Sequence, residues 1–320
     1  MKRLLAALLF LPLAAAAADI AVQRLAGEPS LDPLSPAWLA QPPASIKVYP
    51  QTGVPPAAAQ AATGNVKLRA QAGATTLALH LEWPDRRPAA SRGVNEFADA
   101  AAVQWPLQPE SGLPHVGMGH RGAPVSLWFW RADGTVETLA AAGLGTLTRQ
   151  PADGLQARGV WKNGVWRVVF VQATAAPASP LPLAIAIWNG EGAERNGLKR
   201  LSAWQTLRLD GAAAKVSLHS TATAGNAARG KRLMQAKGCA ACHNFPGNPA
   251  KPSIGPDLRY AGGLHAADYL AESLREPSKI VVPGKGYFTE QDGARTSIMP
   301  PFEGSEAERD DLLAYLLSLR

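Results

Sequence analysis

Cysteine is nearly absent from this chain of 320 residues, which contains only two, Cys239 and Cys242. A framework of disulfides, which holds many small exported domains together, is therefore excluded as the basis of the fold. A structural zinc site would also need more cysteine or histidine ligands at suitable spacing than this pair offers. Because both cysteines lie in one short motif, their thiols are expected to serve a purpose other than cross-linking the fold.

Long apolar runs are missing after the first residues, and a transmembrane helix takes about 20 apolar residues. The chain begins with Lys2 and Arg3, continues through the apolar run Leu4–Leu13 and reaches a series of alanines. This is the layout of a cleaved secretory signal peptide, which we assign to residues 1–18. The alternative is an uncleaved membrane anchor, and the shortness of the apolar run argues against it. The mature protein is expected to be periplasmic and to have no membrane span.

Runs of lysine and arginine with interleaved aromatic residues do not occur, so a nucleic-acid partner is not expected. The formal net charge of +7 falls to +5 without Lys2 and Arg3, a modest excess that could at most assist docking to an acidic partner. The sequence also has no nucleophile elbow, zinc-type cluster or phosphate-binding loop. We therefore assign no catalytic residue.

The part of the chain before residue 217 does contain many short runs in which apolar and polar residues alternate. In one of them Leu77, Leu79, Leu81 and Trp83 share a face, whereas His80 lies on the polar face and is expected to be exposed. Alternation with a period of two predicts half-buried strands. Similar runs occur at Val125–Trp130, Val165–Val171 and Leu183–Trp188.

Turn residues separate these runs, and Asn163-Gly164 between two of them predicts a tight hairpin. Many short strands with frequent turns predict an antiparallel β-sandwich, which we place at residues 46–216. An irregular arm is predicted over residues 19–45, and a polar linker over residues 217–225. Beyond the linker the pattern is helical, giving a multidomain chain with an all-α domain at residues 226–320.

The helical part holds the motif Cys239-Ala240-Ala241-Cys242-His243, which has the spacing of covalent haem attachment. Two thiols at this spacing can reach the vinyl-derived carbons on one edge of the macrocycle, and His243 then lies under the iron. The alternatives are a disulfide, a thioredoxin-like redox pair and half of a zinc site. A thioredoxin-like pair would need a surrounding βαβ pattern, which is not evident.

The surroundings of this motif resemble the class I cytochrome c family. A short helix precedes the motif, the segment Gly255-Pro256-Asp257-Leu258 follows it, and Met299-Pro300 precedes a helix that begins after Ser305. The resemblance implies one covalent haem c with His243 and Met299 as axial ligands, a pair that raises the haem potential. The alternatives are an open sixth position or ligation by His265. With both axial positions filled, the domain would move electrons and do no bond-making chemistry.

The β-rich part resembles the haem-b-binding gamma subunits of the ethylbenzene dehydrogenase and dimethyl sulfide dehydrogenase group. The landmarks are Met118 between glycines ahead of the strand that carries Trp128, and Trp188-Asn189-Gly190 followed by Lys199 and Trp204. The resemblance implies one non-covalent haem b held by Met118 and Lys199. Lysine can ligate iron only as a neutral amine, so burial must lower its pKa.

From the residues alone other interpretations stay open for this domain. His115 and His120 are alternative ligands, because histidine is the commoner haem ligand. Four tryptophans could wall an apolar pocket: Trp128, Trp130, Trp188 and Trp204. A haem-free sandwich that binds a partner or a carbohydrate is a second hypothesis, and a haem enzyme such as a peroxidase is a third.

The resemblance to gamma subunits also implies the partners. Such subunits accept electrons from an iron–sulfur subunit that is fed by a molybdenum subunit, where catalysis takes place. They are commonly single domains, so the fused cytochrome c would extend the electron path by one step, to a soluble cytochrome or another carrier. Electron flow in the reverse direction is equally compatible with this arrangement.

Overall fold

The computed structural model describes residues 19–53, 62–90, 93–109, 112–151, 154–173, 180–209, 224–282 and 286–320. The predicted signal peptide lies outside the described residues, as does the predicted linker up to residue 223. The described chain forms a β-rich domain followed by a helical domain, which confirms the predicted fold class. Within the described ranges, no helix has the length and apolarity needed to cross a bilayer.

The β domain contains the short helix α1 (Pro36–Leu39) and a sheet of 13 strands. The strands are β1 (Asp19–Arg24), β2 (Ala44–Pro50), β3 (Gly64–Ala72), β4 (Thr76–Pro84), β5 (Ala100–Pro106), β6 (Val125–Arg131), β7 (Val136–Ala141), β8 (Thr148–Gln150), β9 (Gln156–Lys162), β10 (Val165–Ala173), β11 (Leu181–Trp188), β12 (Arg200–Leu201) and β13 (Gln205–Arg208).

The helical domain is built from four helices and one hairpin. They are α2 (Ala227–Ala236), α3 (Ala261–Leu264), α4 (Ala267–Arg275), the strands β14 (Phe288–Gln291) and β15 (Ala294–Ser297), and α5 (Glu306–Ser318).

Hydrogen bonding in the β domain follows the strand order β8-β7-β6-β5-β11-β12-β2-β3-β4-β10-β9, with β1 and β13 joined at the side. The two halves of this path pack face to face, because Trp130 of β6 lies edge-on to Trp166 of β10 with ring centroids 5.1 Å apart. Alternate residues of β5, β6 and β11 point into this core, as Val103, Trp128 and Ile185 do. The intervening residues point to the opposite side of the same strands, called here the outer face.

The predicted hairpin is present between β9 and β10. Lys162 pairs with Val165, and Asn163 and Gly164 between them both have positive φ, 54° and 76°. Two central residues with positive φ define the turn whose twist matches that of the flanking strands.

The segment predicted to be an irregular arm contains regular structure. Residues Asp19–Arg24 form β1, which runs parallel to β13 and then to β3. Ile20 and Val22 alternate with exposed residues and enter the sandwich core. This alternation is too short to identify a strand, and its partners are distant in sequence, so the sequence pattern did not reveal it.

The prediction that His80 is exposed is wrong. The segment before β2 crosses the polar face of β4, where Trp38 of α1 stacks on the His80 ring at 5.4 Å. His80 Nε2 lies 3.1 Å from the carbonyl oxygen of Pro33, and the ring is fully buried. The segment predicted to be an irregular arm therefore covers the face of β4 that carries His80.

In the helical domain, the first and last helices, α2 and α5, cross at close range. A Cβ atom at Gly230 would lie 1.9 Å from the backbone oxygen of Asp311. Arg229 donates two hydrogen bonds to the Asp311 carboxylate, at 2.6 and 2.9 Å, beside this crossing. At the start of α5, Ser305 and Glu308 form the predicted capping box.

Candidate haem sites

The Cys-x-x-Cys-His motif forms a compact turn directly after α2. Gly238 has a φ of 79°, and the chain then enters a single 3₁₀ turn over Cys239–Ala241. Neither cysteine is in a disulfide, which removes the disulfide alternative from this structure. Within the described residues there is also no group of three or more His, Cys, Asp or Glu side chains that could hold a metal ion. The two thiols are therefore free to react.

His243 follows the turn and is held in one orientation. Its Nδ1 donates a hydrogen bond to the carbonyl oxygen of Pro256 at 2.8 Å, which leaves Nε2 as the nitrogen able to bind a metal. A Cβ atom at Gly255 would lie 2.8 Å from Cε1 of the ring, so this glycine allows the backbone to pack flat against it. Burial lowers the pKa of His243, which favours the neutral ring that a metal needs.

The turn is fixed by an asparagine that sequence reasoning did not single out. The side-chain nitrogen of Asn248 donates to the carbonyl oxygens of Ala240 and His243, at 2.8 and 2.9 Å. The backbone of Gly255 also donates to the carbonyl oxygen of Cys242 at 2.8 Å. Because both sides of the motif are pinned, the thiols and the imidazole are held in place relative to one another.

Met299 lies in the loop between β15 and α5. Its backbone N–H donates to Ser297 Oγ at 3.1 Å, and its side chain packs in the same apolar cluster as Cys239. The alternative ligand His265 lies elsewhere, with its ring 5.1 Å from that of His115 in the β domain. The residues present thus fit a covalently held haem with His243 and Met299 on the iron, and these assignments stay predictions.

A second candidate site lies on the outer face of β5, β6 and β11. A cavity there has a floor of small side chains, since Ala102, Ala184 and Ala186 occupy the outward positions of β5 and β11. The space above this floor is small, about 10 Å³, so the surrounding side chains would have to move apart to admit a flat group. The remaining lining residues are Gln104, Val116, Leu127, Ile185, Lys199 and Leu201.

Lys199 is the unusual member of this lining. It is 3% exposed, burial is the one cause of its lowered pKa, and no hydrogen bond or salt bridge from a described residue to its amine is seen. Its one charge contact is with the face of Trp188, whose ring centroid is 5.2 Å from Nζ. Burial lowers the pKa of Lys199 to about 8. An unpaired buried amine is costly for a fold, so its presence indicates a ligand for it.

Met118 is buried at the tip of a tight turn over residues 115–119. Its φ is 76°, a left-handed conformation that a methionine rarely adopts, and Gly119 next to it has a φ of 75°. A Cβ atom at Gly119 would lie 2.8 Å from the carbonyl oxygen of Ala123, so the turn requires glycine there. Backbone strain of this kind is maintained only where the surroundings enforce it.

Two side-chain hydrogen bonds hold the Met118 turn on the sheet. Gln104 of β5 donates to the carbonyl oxygen of Val116 at 2.6 Å, and the Trp204 indole donates to that of Pro114 at 2.8 Å. Neither hydrogen bond could be predicted from the sequence. Trp204 is far along the chain from its acceptor, and the acceptor of Gln104 lies in an irregular loop.

The structure brings Met118 and Lys199 to the same face. Val116, Leu127 and Leu201 line the cavity that contains Lys199, and all three also belong to the apolar cluster of Met118. The apolar cluster of Met118, which includes Tyr49, Val116, Leu127, Leu201 and Leu264, is called here the outer-face cluster. A thioether and a buried amine whose pKa is lowered lie around an alanine floor, and this donor set matches the chemistry of a haem b site.

Of the four tryptophans predicted to line one apolar pocket, only two lie on the outer face. Trp188 and Trp204 pack on the outer face, whereas Trp128 and Trp130 point into the sandwich core. The sequence pattern could not assign these sides, because successive residues of a strand point to opposite faces and either face can be apolar.

The alternative ligands His115 and His120 are engaged with the backbone. His115 Nδ1 accepts from the N–H of Gly117 at 3.1 Å, and His120 Nδ1 accepts from the N–H of His115 at 3.2 Å. These bonds shape the turn that presents Met118. The His115 ring faces His265 of the helical domain.

Comparison with known families divides the chain as the fold does. Residues 35–156 match the ethylbenzene dehydrogenase family, and residues 227–320 match the cytochrome c family.

Three relatives named as oxidoreductase subunits match parts of the chain. A protein from Haloferax mediterranei named putative respiratory nitrate reductase heme subunit ORF7 is 31% identical over 193 residues, covering 56% of this chain and 68% of that protein. The gamma subunit of chlorate reductase from Ideonella dechloratans is 32% identical over 161 residues, covering 47% and 66%. The gamma subunit of dimethylsulfide dehydrogenase from Rhodovulum sulfidophilum is 30% identical over 139 residues, covering 39% and 52%. This chain belongs to the ethylbenzene dehydrogenase-like gamma subunits.

This membership confirms the predicted resemblance of the β domain to gamma subunits. The gamma subunit carries a cytochrome c domain fused behind its β domain, and it is an electron-transfer protein.

Proposed function

We propose that this gamma subunit is an exported dihaem protein that relays electrons between a molybdenum and iron–sulfur oxidoreductase and a soluble cytochrome or another carrier. Catalysis would take place in the molybdenum subunit, and this chain would supply the path. The relatives support this, because they are named as subunits of nitrate reductase, chlorate reductase and dimethylsulfide dehydrogenase. The predicted signal peptide supports a periplasmic location.

The observation that carries the proposal is the buried amine of Lys199, which lacks a partner among the described residues and lines a cavity next to the Met118 cluster. A core lysine without such a purpose would be replaced by an apolar residue at a gain in stability. The left-handed backbone of Met118 points to the same purpose.

The residues of each site would hold their haem in a different way. A bound haem supplies one-electron redox chemistry at its iron. Lys199 would offer a neutral amine and Met118 a thioether in the β domain, so no position would remain for a substrate. Cys239 and Cys242 would hold the second macrocycle by thioether bonds, and His243 and Met299 would bind its iron.

The test is the haem content of the full chain, expressed with the cytochrome c maturation system and supplied with haem. A pyridine haemochrome spectrum is recorded before and after extraction with acidic acetone, which removes haem b and leaves thioether-bound haem c. About one haem of each type per chain is expected. If folded protein contains haem c alone, the β domain is a haem-free binding module and Met118 and Lys199 are not ligands.

A further inference from the structure

The two domains of the described chain are packed on one another through a tight contact. Tyr49 at the end of β2 lies against α3, and a Cβ atom at Gly263 would be only 2.4 Å from Cζ of its ring. The Tyr260 ring is 5.6 Å from that of Tyr49. Leu264 of the same helix belongs to the outer-face cluster together with Met118. The cytochrome c domain therefore covers part of the face that carries the β-domain site.

Next to this contact, a buried hydroxyl joins the two domains. Thr52 is 3% exposed, and its Oγ1 donates a hydrogen bond to the backbone oxygen of Asp257 at 3.1 Å. Asp257 lies in the Gly-Pro-Asp-Leu segment, directly after Pro256, whose carbonyl oxygen accepts from His243 Nδ1 at 2.8 Å. The hydroxyl thus contacts the backbone that holds the proximal histidine.

On its other side the same segment holds the lysine. The residue before Thr52 is Gln51, whose backbone N–H donates to the carbonyl oxygen of Lys199 at 2.8 Å. A continuous series of covalent bonds and three hydrogen bonds therefore leads from Lys199 through Gln51 and Thr52 to Asp257, Pro256 and His243.

We propose that this series, called here the Thr52 bridge, is the route by which electrons pass between the two iron sites. The inference rests on the proposed function, since it needs haem at both sites. Tunnelling decays more slowly through covalent and hydrogen bonds than across van der Waals gaps, and the bridge has no such gap between the two predicted ligands. The step moves one electron, and no bond forms or breaks and no proton is transferred.

The structure also contains a competing contact between the two domains, which is not a hydrogen bond. His115, in the Met118 turn, faces His265 with ring centroids 5.1 Å apart, and neither an ion pair nor a hydrogen bond joins the two rings. Electrons taking that route would cross a through-space contact. The geometry favours the Thr52 bridge, in which the one step between domains is a hydrogen bond.

The experiment uses the full chain carrying both haems. Electron exchange between haem b and haem c is followed after flash reduction, in wild type and in Thr52→Val, which keeps the side-chain shape and removes the donor. We expect the exchange rate to fall several-fold, with haem content and both potentials unchanged. Thr52→Ser keeps the hydroxyl and is expected to restore the rate. Thr148→Val is the matched control, because Thr148 also donates to a backbone oxygen, that of Ala140, but its hydrogen bond is exposed and lies within the β domain.

Small-angle scattering of the same proteins separates a conducting role from a docking role. A slower rate with an unchanged radius of gyration supports the bridge, and a slower rate with an expanded molecule shows that Thr52 only holds the domains together and overturns it. A wild-type rate in Thr52→Val also overturns it. Absence of haem b from the wild-type protein would instead overturn the proposed function, and that is detected in the haem assay before any rate is measured.

Discussion

At the residue scale, Lys199 distinguishes a β domain that binds haem b from one that is free of haem. If Lys199 is only part of the fold, replacing it with methionine should relieve the burial of an unpaired amine. We expect Lys199→Met to raise the free energy of unfolding of the haem-free protein by about 1–3 kcal/mol. The same variant should lose haem b and retain haem c, because the amine is the proposed ligand. Denaturant unfolding and haemochrome spectra measure the two effects.

The control for this variant is Lys67→Met, which alters a lysine whose side chain is 54% exposed in a salt bridge with Glu82. It should leave haem content unchanged and alter stability little, since the buried carboxylate of Glu82 keeps its contacts with Arg69 and Arg167, at 3.7 and 3.2 Å. Full haem b content in Lys199→Met would remove this residue from the site. A stability gain without haem loss would leave Lys199 as a buried lysine with no part in cofactor binding.

His80 gives a second residue-scale prediction, on pH. Burial is the main reason that its pKa is lowered from 6.5 to about 4 in the folded chain. Between these values the unfolded chain binds a proton that the folded chain does not, so stability is full above pH 6.5 and falls as the pH drops toward 4. The loss contributed by His80 should reach up to about 3 kcal/mol.

His80→Gln should abolish this part of the pH dependence, because glutamine can still donate to the Pro33 carbonyl and does not titrate. Unfolding free energies measured between pH 7 and pH 4 provide the comparison. Parallel losses of stability in wild type and variant would show that His80 is protonated without opening the cover formed by α1.

At the scale of elements, the crossing of α2 and α5 depends on one missing side chain. Gly230→Ala would place a Cβ atom 1.9 Å from the backbone oxygen of Asp311, so the helices must separate. We expect the free energy of unfolding of the cytochrome c domain to fall by about 1–3 kcal/mol or more. Guanidinium unfolding followed by the helical circular dichroism signal measures it.

Gly27→Ala is the control for that change, since nothing lies within 4 Å of a Cβ atom built there. It should leave the unfolding midpoint of the helical signal unchanged. If both variants behave alike, the close approach of α2 and α5 is not important for stability.

The elements also show what a sequence can and cannot reveal. The alternation in β4, the Asn163-Gly164 hairpin and the capping box at Ser305 are local patterns, and the structure has all three. Strand β1 escaped detection because its parallel partners, β3 and β13, lie far along the chain. The burial of His80 escaped it for the same reason, since the covering helix is distant from β4.

The same distinction between local sequence patterns and contacts of distant residues applies to the candidate sites. Attachment chemistry could be read from Cys239, Cys242 and His243 because the motif is contiguous. Met118 and Lys199 were reached by resemblance alone, since no spacing rule links residues on different elements. Supporting residues such as Asn248 and Thr52 were missed, because their roles consist of hydrogen bonds to backbone that only the fold brings near.

At the scale of the whole molecule, the cytochrome c domain covers part of the candidate site on the β domain. Leu264 is 6% exposed and lies in the outer-face cluster with Met118 and Leu201, although it belongs to the other domain. Apolar contacts of this kind exclude water from a non-covalent cofactor. Retention of haem b should therefore depend on a residue that is outside the β domain.

The variant Leu264→Glu tests this dependence. Because burying a carboxylate in an apolar cluster is unfavourable, the interface should loosen and haem b should be released at least about tenfold faster. Transfer of haem to excess apomyoglobin measures the release rate, and the thioether-bound haem c of the same molecule stays as an internal reference. Leu147→Glu, at a leucine that is 49% exposed in the β domain, should leave release unchanged. Equal release rates in wild type and Leu264→Glu would mean that the β domain holds its haem without help, and that the fused cytochrome c contributes to electron transfer alone.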